Sequence, residues 1–194
     1  MAERVISPIL LAAGQSQRFG SDKLLYAMQY HELKKPMILH SLKPWLEVFD
    51  QINIVVRADN HTLIQMLENS EFSSRLTLIT ATNAAMGMSA SLVAGIEANK
   101  ETDGWLIGLA DMPFIHSSVI AKSLKSLRDG TEITLPRFDG QRGHPVGFSS
   151  RFRSQLLALS GDKGAKEIIA SSPDKITFIE SPDSAIWQDI DIAN

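Results

Sequence analysis

The chain has no cysteine among its 194 residues, which excludes disulfides, thiolate zinc sites and a cysteine nucleophile together. Any metal it binds is therefore expected to be a hard cation held by oxygen. No apolar run approaches the roughly 20 residues that span a bilayer. Met1-Ala2-Glu3-Arg4 leads directly into an apolar strand, so no membrane span and no secretory leader are expected, and the expected location is cytoplasmic. A basic excess is missing as well. The formal net charge of −3 argues against a nucleic-acid partner and leaves room only for a local anion site. With 44% hydrophobic and 21% charged residues the composition is that of an ordinary globular protein. A chain of this length is expected to form one domain, residues 1–194, burying roughly 70% of its unfolded surface.

Both common phosphate-loop patterns are missing too. Gly14 and Gly20 are separated by five residues and Lys23 does not adjoin the second glycine, so the loop is no Walker A; Gln15 and Ser16 after the first glycine break the dinucleotide fingerprint. What is present is an apolar strand, Val5 to Ala12, running into a glycine-bearing loop with two cations, Arg18 and Lys23. Backbone N–H groups freed by a sharp turn, with a guanidinium and an ammonium nearby, make a socket for polyphosphate. The alternative is a solvated surface loop. Arg18 offers a planar fork and Lys23 a mobile point charge, and both are expected to stabilise charge on an α-phosphate and a departing pyrophosphate. A triphosphate carries about four negative charges, so two cations leave charge over for a divalent metal.

Strand and helix patterns alternate over most of the chain. Helices are expected at Pro36 to Phe49, with Pro44 as a kink, and at His61 to Asn69, Ser89 to Asn99 and Ser117 to Arg128; strands at Ile52 to Arg57, Leu76 to Thr80 and Trp105 to Leu109. The pattern predicts an α/β fold with a doubly wound, mostly parallel sheet, in which ligands bind beyond the carboxyl ends of the strands. A small antiparallel hairpin is expected at Ile133 to Phe138 and Gln141 to Phe148 around Asp139-Gly140, with Pro136 and Pro145 at edge or bulge positions. Short helices at Ser150 to Leu159 and Lys163 to Ala170 and a strand at Lys175 to Ile179 complete the expectation. Asp111 then stands at a buried strand end, where it either projects into the ligand crevice or caps the turn before Pro113. Ser89 either caps its helix or, with Gly87 and Ser91, meets a ligand at the helix start. His144 is either a structural histidine or a substrate contact.

The loop resembles the first motif of the small nucleotidyltransferases of molybdenum cofactor maturation, L-A-[AG]-G-x-S-x-R-x-G followed closely by lysine. Five further stretches match in family order: Gly87-Met88-Ser89-Ala90-Ser91-Leu92, Leu109-Ala110-Asp111-Met112-Pro113, Gly143-His144-Pro145-Val146, Gly161-Asp162-Lys163-Gly164-Ala165 and Asp189-Ile190-Asp191. Ala13 and the Gly-His-Pro stretch look most like the cytidylyltransferase branch. The resemblance implies a Rossmann-like nucleotidyltransferase fold and transfer of CMP from CTP to the terminal phosphate of molybdopterin, with release of pyrophosphate. It implies nucleotide contacts from Leu11, Ala12, Ala13, Gly14, Ser16, Arg18, Lys23, Gly87, Ser89 and Ser91. Acceptor contacts fall to Pro113, Gly143, His144, Pro145 and Asp162. Catalysis falls to Arg18, Lys23 and Asp111, and Mg²⁺ to Asp111 with Asp191, Asp189 being the other candidate. Lys166 stands where the family usually has arginine, and Ile192 replaces the threonine of its D-I-D-T segment. A molybdenum hydroxylase or its chaperone is the implied recipient. A sugar or alcohol nucleotidyltransferase using another NTP, or a protein that delivers the cofactor without turnover, are the alternatives.

Overall fold

The computed structural model describes residues 3–14, 22–30, 32–82, 87–161 and 164–190. The main sheet is built from β1 (Ile6–Leu11), β4 (Ile52–Arg57), β5 (Leu76–Ala81), β6 (Gly104–Leu109), β7 (Ile133–Phe138), β8 (Gln141–Arg142), β9 (Val146–Ser149) and β10 (Ile176–Glu180). Its order is β10-β7-β9-β6-β1-β4-β5, with β8 paired to β7. The β5-β4-β1-β6 half is parallel, β9 runs antiparallel to both β6 and β7, and β10 is parallel to β7.

The unbroken apolar run of β1 follows from the two layers that cover the sheet. Successive side chains of a strand point to opposite faces. Ile6 and Leu10 enter one core with Leu42 and Trp45 of α1 (Met37–Leu46), Leu63 and Leu67 of α2 (His61–Glu68) and Ile120 and Leu124 of α4 (Ser117–Arg128). Ile9 enters the other with Leu92 and Ile96 of α3 (Met88–Ala98), Leu156 of α5 (Arg153–Leu157) and Ile168 of α6 (Lys166–Ser171). This is the doubly wound arrangement expected from the alternation of elements. Among the described residues no helix is long and apolar enough to cross a membrane.

Three differences from the expected elements trace to contacts with other parts of the chain. Helix α1 stops at Leu46 rather than Phe49, and Arg75 reaches over from the turn before β5 to donate to the carbonyls of Leu46, Phe49 and Asp50. The Leu46 carbonyl would otherwise be an orphan of the helix end. The ribbon of β2 (Ala27–Tyr30) and β3 (Leu33–Pro36) was not expected, because Lys34, Lys35 and the exposed Leu33 give no strand alternation. It is held from outside, by the Met37 N–H donated to the Tyr26 carbonyl and by the buried His40 ring against the Met28 carbonyl at 3.2 Å.

The hairpin differs most. The second strand breaks after Arg142, leaves Gly143-His144-Pro145 outside the ladder, and resumes as β9 between β7 and β6. Pro136 is inside β7 and not on an edge. Its carbonyl accepts from Gly143 N–H at 2.9 Å, so its own nitrogen faces the same break, where no ladder partner requires an N–H. Leu10→Ala, which empties a site with no solvent exposure between β1 and α1, is expected to cost about 3 kcal/mol in urea unfolding.

Candidate active site

Parallel pairing of β1 with β6 sets Leu11 opposite Leu109. The chain therefore leaves both strands at the same level, Ala12-Ala13-Gly14 on one side and Ala110-Asp111 on the other. Two bonds fix the second exit: Ala110 N–H donates to the Leu11 carbonyl at 3.0 Å, and the buried Ser41 hydroxyl of α1 donates to the Ala110 carbonyl at 2.7 Å. Into this corner comes Lys23, whose Nζ lies 2.6 Å from Asp111 Oδ2, with both side chains mostly shielded from water. Asp111 stands in the turn before Pro113 and does not cap α4, which begins at Ser117 with His116 at its cap position.

Lys23 is placed by neighbours that the sequence did not single out. It opens a 3-10 turn, Lys23–Leu25, that Asp22 caps by accepting the Leu24 N–H, while Leu24 plugs into the core. The other oxygen of Asp22 accepts from Asn60 Nδ2 at 2.5 Å, and Asn60 in turn caps α2 through the Leu63 N–H. The lysine is thus tied to the loop after β4. A polar residue before an apolar helix is the signal that could have found Asn60 as a cap; nothing local shows that it also reaches Asp22.

The Gly87 stretch forms the start of α3, with Gly87 at its cap at φ 106°, a backbone state that favours glycine. Ser89 does not cap the helix. It is fully buried, its hydroxyl donates to the Ser160 carbonyl at 3.2 Å, and its N–H to the Gly161 carbonyl at 3.1 Å, so it fastens α3 to the loop before α6. Ser91 is buried one step along. Ala12 and Ala13 are buried, while Gly14 is exposed and a Cβ there would meet nothing within 4 Å among the described residues.

The antiparallel register Ile107↔Val146 carries His144 to the level of Leu109, beside Asp111. It lines a cavity of about 410 Å³ with Gly143, Arg142, Lys166, Trp187 and Asp189 around an apolar floor that includes Leu109, Met112 and Leu135. No side chain fits at position 143, because a Cβ there would stand 2.1 Å from the Ile186 carbonyl oxygen. Pro113 and Pro145 are buried and do not line the cavity; Met112 takes the place expected of Pro113. Arg142 and Trp187 lie in no motif of the resembled family, so only the fold reveals them. Ser16, Arg18, Asp162 and Asp191 lie outside the described residues.

The His144 Nδ1 is sealed from solvent, with no hydrogen-bond partner among the described residues. Burial holds its pKa below the ordinary 6.5, while the Ile107 backbone and the Asp111 carboxylate pull the other way and Lys166 adds to the depression. Asp111 and Asp189 offer hard oxygen donors, although among the described residues no cluster of three or more His, Cys, Asp and Glu side chains could hold a metal by itself. Such a donor set suits Mg²⁺, which commonly takes one or two carboxylates together with substrate phosphates.

Comparison with known proteins sets this geometry in context. The MobA-like NTP transferase domain matches residues 8–176. Purine catabolism protein PucB of Bacillus subtilis (strain 168) is 25% identical over 193 residues, covering 94% of this chain and 90% of that protein. The solved structure of Rv0371c from Mycobacterium tuberculosis H37Rv is similar at a TM-score of 0.78 and 22% identity, over 97% of this chain and 94% of that one. The complex of Rv0371C with manganese has a TM-score of 0.71 at 20% identity, over 91% and 88%.

A pH dependence of stability follows from the buried imidazoles. His144 and His40 both have folded pKa values below 6.5, so the unfolded chain binds more protons and stability is lost as pH falls through and below 6.5. Urea midpoints measured between about pH 7.5 and pH 5 are expected to fall less steeply in His144→Gln than in the wild type; parallel profiles would contradict the buried neutral ring.

Proposed function

We propose that this chain, which belongs to the MobA-like NTP transferase family and is a nucleotidyltransferase, moves CMP from CTP to the terminal phosphate of a molybdopterin-type cofactor. The observation that carries this reading is the Lys23–Asp111 contact at the strand ends, directly beside a cavity with its own cations and an aromatic wall. An acceptor phosphate oxygen attacks the α-phosphorus, the bond from that phosphorus to the bridging oxygen breaks, and pyrophosphate leaves. The attacking group is already ionised, so no general base is needed. This agrees with a His144 kept neutral by burial and acting as a wall of the acceptor cavity.

Lys23 and Arg18 stabilise the charge that grows on the transferring phosphate and on pyrophosphate. Asp111, with Asp189 or Asp191, holds Mg²⁺. Bound there, the cation neutralises phosphate charge and orients the triphosphate for in-line attack. The manganese complex of the similar Rv0371C supports a divalent site in this fold. Nucleotide contacts fall to the exit of β1 and the start of α3, from Gly14, Ser16, Gly87 and Ser91, with Ala12 and Ala13 contributing backbone and Ser89 acting as a fastener. On the acceptor side Arg142 and Lys166 meet the phosphate and Trp187 meets the ring system. This division follows from charge. The nucleotide side has a lysine with a metal-binding carboxylate, the other side has cations over an apolar floor.

Pyrophosphate release measured with each NTP, Mg²⁺ and molybdopterin is expected to be greatest with CTP and to need the acceptor. Equal release with any NTP would place the enzyme among sugar or alcohol nucleotidyltransferases, and binding without release would make it a delivery protein. Lys23→Gln and Asp111→Asn are each expected to lower kcat by about 10² to 10³. Turnover should fall far more than melting temperature, since the pair is largely but not wholly shielded and the remaining charge keeps a route to solvent. In Asp111→Ala the Mg²⁺ titration should shift to higher concentration; an unmoved titration removes the metal role.

A further inference from the structure

Beyond β10 the chain runs back across the cavity. Ser181 to Ile190 supplies its outer wall through Ile186, Trp187 and Asp189, and it is pinned at both ends of the site. The Ile186 carbonyl accepts the His144 N–H at 2.7 Å, and Ile190 N–H donates to the Asp111 carbonyl at 3.2 Å. Ile186 is fully buried in a small satellite core with Val119 of α4 and Ile179 of β10, against which Phe138 and Trp187 pack. The segment is therefore a strap over the acceptor side.

One surface contact ties this strap to a rigid helix. Asp183 caps the turn Ser184–Trp187 by accepting the Ala185 N–H on Oδ1 at 2.9 Å, and its Oδ2 lies 2.7 Å from Nε2 of His116 at the start of α4. Exposed pairs of this kind usually contribute little, in part because two long side chains must be ordered. Here the carboxylate is already immobilised by its cap, and α4 is anchored by Val119 and Ile120. The Ala185 amide, and less strongly His116, holds the Asp183 carboxyl below its usual range.

We propose that His116 is a positioning residue for acceptor binding: through Asp183 it latches the Ser181–Ile190 strap, and so sets the width of the cavity between His144 and Trp187. The effect on turnover rests on the acceptor reading above, whereas the latch itself does not. Removing the imidazole at His116, which touches neither cavity nor nucleotide side, leaves the Asp183 cap intact and loosens only the wall.

Two measurements on the full chain test this. Amide hydrogen exchange in His116→Ala is expected to quicken about five-fold at His144 and Ala185, the upper end of what a lost half-exposed charged contact gives, with β1 unchanged. Unaltered exchange at His144 would overturn the latch whatever the acceptor is. In steady-state assays with CTP and molybdopterin, KM for molybdopterin should rise by about the same factor while kcat and KM for CTP hold. His116→Gln, whose amide can still donate to Asp183, should restore both readouts. A parallel rise in both KM values, or no restoration by glutamine, would overturn the proposal. If the wild type does not turn over molybdopterin, the acceptor reading fails, and the exchange measurement alone decides for or against the latch.

Discussion

The contact between the Lys23 ammonium and the Asp111 carboxylate is the constraint around which the site is organised. Neither residue reaches the other through local geometry; they meet because β1 and β6 are neighbours in parallel register and deliver their exits to one corner. Each partner keeps the other ready. The carboxylate prevents the lysine from wandering into solvent, and the lysine offsets a negative charge at the strand ends, where the proposed polyphosphate would approach. Supporting bonds bring more distant elements to the same corner: Ser41 from α1 holds the Ala110 carbonyl, and Asn60 at the start of α2 holds Asp22. A nucleotidyltransferase needs such preorganisation because its catalysis depends on placing charge around a transferring phosphate rather than on making new covalent chemistry.

On the side proposed for the acceptor the same sheet solves a different problem. Inserting β9 antiparallel between β6 and β7 brings a loop back to the carboxyl edge of the parallel half, so His144 arrives beside Asp111 from the opposite direction in sequence. The strap after β10 then lies on Gly143, where the lack of a side chain lets the Ile186 carbonyl come in and accept the His144 N–H. The exits of β1 and β6 and the cavity lined by His144 thus meet at Asp111 while being built from different stretches of chain.

Much of the fold was legible because its cause is local. The uninterrupted apolar strands, the apolar faces of α2 and α4 and the Asp139-Gly140 turn are all written in residues close together, and β4, α4 and β7 fall within the bounds their periodicity predicts. The ribbon β2-β3, the early end of α1 under Arg75, and the break at Gly143-His144-Pro145 were not, since each is held by a partner far away in the chain.

The site divides along the same line. By itself the sequence determined the chemical types and their order: a glycine loop with lysine beyond a buried strand, a carboxylate at a strand end, and a Gly-His-Pro turn. Residue type and strand position are properties of short windows, which is why they could be read. Only the tertiary structure decided that Lys23 rests on Asp111, that Ser89 fastens a loop instead of capping a helix, and that Arg142, Trp187 and the strap form a cavity with His144. Those are distances between segments brought together by strand order and register, which no window of sequence contains.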